Sequence, residues 1–185
     1  MIFTETKLKG AFIIELTPFI DARGSFSRTY CAREFADHGL NTNMVQSNLS
    51  ISGPQYTIRG MHFQFDGAEE AKLMRCQKGA ILDTIIDLRD DSETYCEYFQ
   101  IELTSNNRKM LYVPEGFAHG FITLESDCEI FYQVSQFYTP GKETGLRWND
   151  PFFNIEWPTN SPIVSDRDNS HPNFDPKSNP FTNGA

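Results

Sequence analysis

Apolar and polar residues alternate with a period of two over most of residues 44–137. The runs 44–51, 58–65, 71–77, 80–88, 97–104, 109–113, 117–124 and 128–137 have the length and composition of strands. Turn-forming residues separate many of them: Ser52-Gly53-Pro54, Asp66-Gly67, Lys78-Gly79, Ser105-Asn106-Asn107 and Ser126-Asp127. Upstream, 11–16 is a short apolar run, Asp21-Ala22-Arg23-Gly24 is a turn, and 25–30 alternates as a further strand. The spacing predicts a short helix from Ala32 to His38, with Gly39 placed as its C-cap. From Pro140 onward the periodicity fades, which predicts an irregular lid or packing segment. Many short strands with one or two short helices indicate an all-β sandwich or barrel. The length suits one domain over residues 1–170, with 171–185 a loosely ordered C-terminal tail.

Composition narrows the class. Sixteen Phe, seven Tyr and two Trp fit an aromatic-packed β interior. A formal charge of −9 lacks the basic footprint that nucleic acid or an anionic membrane requires. It leaves room for a small anionic ligand held by a few local Arg and Lys. No apolar run reaches transmembrane length and the N-terminus has no signal-peptide pattern, so a cytoplasmic protein is expected. Cys31, Cys76, Cys96 and Cys128 show no CxxC or CxxxH spacing and read as reduced structural thiols.

Two stretches carry chemistry. Arg59-Gly60-Met61-His62-Phe63-Gln64 places a cation beside a titratable imidazole, with Gly60, His62 and Gln64 on one face of an extended segment. Pro114-Glu115-Gly116-Phe117-Ala118-His119 resembles the second motif of the cupin jelly rolls, whose histidine points into the barrel. The first cupin motif supplies H-x-H for a metal, but here Gln64 stands in the second position. Two histidines without a third or fourth ligand make a poor zinc or iron site, so no metal is expected. A lone histidine is more often a hydrogen-bonded core residue. Two of them in a small barrel, beside Arg59 and Lys72, favour an active site. Asp83 is a candidate partner for His119 across the barrel.

The motif set as a whole resembles the dTDP-4-dehydrorhamnose 3,5-epimerase family. It runs Asp21-x-Arg23-Gly24-x-Phe26, Gln46-Ser47-Asn48-Leu49-Ser50, Arg59 to Gln64, Lys72-Leu73, and Asp87-Leu88-Arg89-x-x-Ser92-x-Thr94. It continues with Val113-Pro114-x-Gly116-x-Ala118-His119-Gly120-Phe121, Tyr132, Trp148-Asn149-Asp150-Pro151, Ile155-x-Trp157-Pro158 and Ser165-x-x-Asp168. The resemblance implies a cupin-type jelly roll, a nucleotide-linked 4-keto-6-deoxyhexose substrate, no cofactor and a homodimer. By the same resemblance His62 is the base, Asp168 its partner, Lys72 the stabiliser of charge on the C4 oxygen, and Tyr132 the acid on the opposite face. Their plainer readings are an exposed strand lysine, a packing tyrosine and a solvated loop carboxylate.

Arg23, Phe26, Arg28, Gln46, Asn48, Arg59, His119 and Tyr138 are the implied substrate-binding residues, with Arg23 and Phe26 serving a neighbouring protomer's site. Arg28 departs from the glutamate common at that position, which leaves the nucleotide open among dTDP, CDP, GDP and others. Epimerisation at C3 alone, 3,4-ketoisomerisation, a ligand-binding cupin without activity and a metal-dependent oxygenase are the competing readings.

Overall fold

The computed structural model describes residues 1–181, so the last four residues of the expected tail lie outside the described residues. The elements in chain order are β1 (Ile2–Glu5), β2 (Phe12–Glu15), β3 (Phe19–Asp21), β4 (Gly24–Phe26), α1 (Ala32–Ala36), β5 (Gln46–Ser52), β6 (Ile58–Gln64) and β7 (Lys72–Lys78). There follow β8 (Ala80–Asp87), β9 (Tyr98–Thr104), β10 (Met110–Val113), β11 (Phe117–Thr123), β12 (Cys128–Val134), β13 (Glu143–Gly145) and α2 (Asp166–Asn169), with a last 3-10 turn at Pro176–Ser178. One antiparallel sheet has the order β1-β2-β10-β7-β12-β5, and a second has β13-β6-β11-β8-β9. Strands β5 to β12 interleave between the sheets as a jelly roll. No helix among the described residues is long and apolar enough to cross a membrane.

Strand alternation explains the interior. Along β7, Cys76 and Met74 face the other sheet and Lys72 follows them; along β12, Cys128 and Ile130 lead to Tyr132. The inner face is therefore apolar at one end, where Ile81, Ile85, Leu103, Leu111 and Phe121 join it, and polar at the other. Two satellite cores cover the outer faces. Phe35 of α1 packs with Ile14, Leu73, Met110 and Tyr112 under the N-terminal strands. Phe153 and Leu146 pack with Met61, Phe63 and Ile86 beneath the C-terminal segment. All four cysteines are free, and burial pushes the Cys76 thiol up to about 12.

Several sequence expectations need correction. The strand expected over 25–30 ends at Phe26, and the helix spans Ala32–Ala36 without a side-chain N-cap. The strand expected to reach 137 stops at Val134, because Ser135 turns to bond Ala71 through both its backbone N–H and its hydroxyl. The short strands β1, β3 and β13 were not anticipated; three or four residues carry too little alternation to read. The C-terminal segment is not loose as far as Phe181. Phe174 lies 5.2 and 5.0 Å from Phe152 and Phe153, Phe181 lies 5.3 Å from Phe63, and buried Asn179 donates to the Leu88 carbonyl at 2.7 Å. Large apolar side chains remain exposed on the β3–β4 hairpin (Phe19, Ile20, Phe26) and on the outer face of β5 (Leu49, Ile51).

Candidate active site

The polar end of the jelly roll opens into a cavity of about 640 Å3. Strand β6 brings His62 into it, and a glycine makes that possible. Gly60 has φ +111°, and a Cβ there would lie 2.7 Å from the Gly120 Cα and the His119 carbonyl of β11. Only glycine lets the two strands approach so closely. His119 stands directly opposite His62 in the strand register.

Asp168 reaches His62 from outside the sheets. It lies in α2, whose N-cap Ser165 accepts the Asp168 backbone N–H at 3.1 Å. The buried carboxylate meets His62 Nε2 at 2.8 Å through Oδ1 and accepts the Gly60 N–H at 3.1 Å through Oδ2. Burial opposes its ionisation, but the His62 ring, the Gly60 N–H and the Ser165 hydroxyl together hold the carboxyl below the ordinary carboxylate range. With Nε2 engaged by the aspartate, Nδ1 is the atom of His62 left for proton transfer. His119 has its own carboxylate: Nε2 meets Asp83 Oδ1 at 2.7 Å, from the adjacent strand β8 rather than across the barrel.

The facing sheet supplies the rest. Lys72 opens β7, is nearly buried, and its ammonium is paired with the Glu70 carboxylate. Tyr132 of β12 has its phenol pushed above the ordinary tyrosine value by burial, with Glu70 and Glu143 adding to the effect and Arg59 opposing it. Gln46 and Asn48 of β5, together with Tyr138, line the same space. Arg59 is steadied by bonds from Nε to Ser52 Oγ at 3.0 Å and from its terminal nitrogen to the Ile51 carbonyl at 3.1 Å.

Nine of the twelve residues selected from the sequence thus converge on one cavity: His62, Asp168, Tyr132, Lys72, Gln46, Asn48, Arg59, His119 and Tyr138. Arg23, Phe26 and Arg28 do not. Arg23 is 88% exposed and paired with Asp21 at 2.6 Å, Phe26 is exposed on the hairpin, and Arg28 binds Glu34 at 2.9 Å. Gln64 is buried but turned away from the cavity: it receives the Thr139 N–H and donates to Ala68, Glu70 and Phe137. The amide therefore knots two loops and leaves Arg59 and His62 as the polar side chains that β6 sends into the cavity.

Sequence reasoning missed Glu70 and Glu143, which line the cavity, the latter paired with Arg167. Glu70 was findable, since it lies two residues before Lys72 on an extended approach and so shares its face. His171 was also missed. Its ring centroid lies 6.3 Å from that of His62, its pKa is lowered by burial and by the neighbouring His62, and its Nε2 has no hydrogen-bond partner. Ligand atoms of His62, Asp168 and His171 all lie within 4.8 Å of one another. A zinc ion bound at about 2.0–2.1 Å would draw tetrahedral ligands to roughly 3.4 Å, so the trio is more open than a closed site.

The sequence pattern of dTDP-4-dehydrorhamnose 3,5-epimerase matches residues 5–176. The chain belongs to this family. The dTDP-4-dehydrorhamnose 3,5-epimerase of Methanothermobacter thermautotrophicus is 38% identical over 169 residues, 90% of each chain. The crystal structure of the Elizabethkingia anophelis epimerase superposes with a TM-score of 0.93 at 36% identity, covering 97% of this chain and 98% of that one. That of Bacillus anthracis, solved with TDP and pyrophosphate bound, gives 0.90 at 38% identity, with 94% and 99% covered.

Proposed function

We propose that the chain inverts C3 and C5 of a dTDP-linked 4-keto-6-deoxyhexose, as the names of its relatives describe. The observation that carries this reading is that His62 and Tyr132 enter one cavity from opposite sheets, with the Lys72 ammonium in the same cavity. Both carbons flank the C4 ketone, so a base of moderate strength can remove their hydrogens as protons. His62 Nδ1 takes the proton, and the C–H electron pair moves into an enolate whose negative oxygen faces the Lys72 ammonium. Charge developing on that oxygen is where preorganised electrostatics contributes most. Asp168 stabilises the imidazolium and fixes the ring. Tyr132 then delivers its hydroxyl proton to the carbon from the other face, which inverts the centre. The resulting tyrosinate and imidazolium recover their resting states by proton exchange with water. The reaction as written uses only protons and needs no cofactor.

Arg59, Gln46, Asn48, His119 and Tyr138 surround the sugar diphosphate in this reading, Arg59 with a guanidinium suited to two phosphate oxygens. Arg23, Phe26 and the hairpin serve a second copy of the chain. Support comes from the exposed apolar hairpin, from Leu49 and Ile51, and from the half-buried Arg75 on the same outer face, whose pKa is lowered by burial. Four free thiols and a formal charge of −9 suit a cytoplasmic enzyme of small-molecule metabolism.

Incubation of dTDP-4-keto-6-deoxyglucose with the protein in D2O tests the reading. Deuterium at both C3 and C5 with inverted configuration is expected by NMR. Label at C3 alone would narrow the activity to one centre, a 3-keto product would make the chain a ketoisomerase, and no exchange would remove the enzymatic reading. His62→Asn should slow exchange by about 10^2–10^4-fold, the usual share of a general base.

A further inference from the structure

We infer that Glu70 is a positioning residue of the reaction, which holds the Lys72 ammonium at the enolate oxygen's place and ties it to the buried Gln64 knot. The inference rests on the epimerase reading above. The carboxylate spans two partners: one oxygen receives the Lys72 ammonium, and the other receives Gln64 Nε2 at 3.0 Å. Gln64 is itself fixed by Ala68, Phe137 and Thr139, so a chain of bonds runs from the strap 65–71 and the loop 137–139 to the lysine. A lysine has four rotatable bonds and points wherever its charge is best solvated. Inside this cavity, with both side chains about nine-tenths covered, the tether selects one direction.

Glu70 has a second effect on the same chemistry. The charged and titratable groups that line the cavity with Tyr132 are Glu70 from the strap, Glu143 of β13, Arg59 and His62 of β6, Lys72 of β7, His119 of β11, Tyr138, and Arg167 and Asp168 of α2. Behind burial, Glu70 contributes most to raising the phenol, ahead of Glu143, while Arg59 acts against them. A negative charge near a phenol disfavours tyrosinate, so Glu70 keeps Tyr132 in the form that can donate a proton. The carboxylate therefore acts on two catalytic groups without needing to touch the sugar.

The test compares wild type, Glu70→Gln and Glu70→Asp by kcat, KM and the pH profile of C3 and C5 exchange. Glu70→Gln should lower kcat about 10–100-fold, the scale of an ångström-level misplacement, with a smaller change in KM. Its alkaline limb should move to lower pH. Glu70→Asp keeps the charge but shortens the tether, so kcat should fall while the alkaline limb stays near that of wild type. A Glu70→Gln protein with wild-type kcat and profile overturns the inference, as does a lower kcat with an unmoved limb, which is the mark of a merely structural role. Should Glu70→Gln fail to fold, Glu70→Asp with wild-type kcat overturns it equally. Silence of the wild-type protein itself would instead remove the epimerase reading on which the inference stands.

Discussion

At the residue scale, the cavity separates two roles that a single titratable group could not combine. In the proposed reaction His62 exchanges a substrate proton with solvent even without Tyr132, but returns it to the face it came from. Tyr132→Phe should therefore still incorporate deuterium while inversion falls by about 10^2-fold or more, a combination that NMR reads as label without epimer. Equal loss of label and inversion would mean that the tyrosine does something other than protonate the far face. His62, His119 and Lys72 were legible because each sits on a strand whose alternation fixes the side on which it emerges, whereas Tyr132 reads equally well as a packing tyrosine and was marked only by its place in the motif series. Asp168 was not legible from pattern, since an acidic residue in an aperiodic segment looks solvated. Only its place in the motif series marked it, and the Ser165 cap and the Gly60 N–H supply the physical reason. Glu70 was masked by Glu69 beside it, although its spacing from Lys72 marks a shared face, and Glu143 lies in the segment after Pro140 where no alternation signals burial.

At the scale of elements, the strands β5 to β12 were readable because each buries one face or both, whereas the irregular C-terminal segment buries Phe153 and half-buries Phe174 and Phe181 without any period. That is why the stretch from residue 171, with Phe174 and Phe181, was expected to be a loose tail. The loop after β8 shows how such irregular chain is held. Asp87 is fully buried and accepts bonds from the Arg89 guanidinium at 2.9 and 2.7 Å, from Ser92 at 2.6 Å and from Thr94 at 2.8 Å. Burial opposes its charge, but these donors win and hold its carboxyl below the usual range. A folded-state pKa below the unfolded one means that the stabilisation is complete above about pH 4 and is lost as pH falls through the depressed value. Asp87→Asn should cost about 2–4 kcal/mol near neutral pH by denaturant titration, with a smaller difference from wild type at pH 3. A difference that does not shrink in acid would show that the network acts through packing and not through charge.

At the scale of the whole molecule, the two outer faces differ. N-terminal strands and α1 cover one side, C-terminal aromatics cover the other, and the outer face of β5 stays apolar and bare. Sedimentation should give a mass near twice 21.2 kDa, and the double substitution Leu49→Glu/Ile51→Glu should shift it toward the monomer while the isolated fold survives. A monomeric wild-type protein would leave Arg23 and Phe26 without a site to serve. The placement of His62 and Tyr132 on separate sheets has a further consequence for the proposed reaction. Because His62 belongs to one sheet and Tyr132 to the other, the gap between the proposed proton acceptor and proton donor follows the spacing of the sheets, set by the apolar core at its far end. The hydrophobic interior thus serves as the gauge for stereochemistry: a sandwich spread by overpacking would leave both groups intact and still let the planar enolate be quenched from the wrong side.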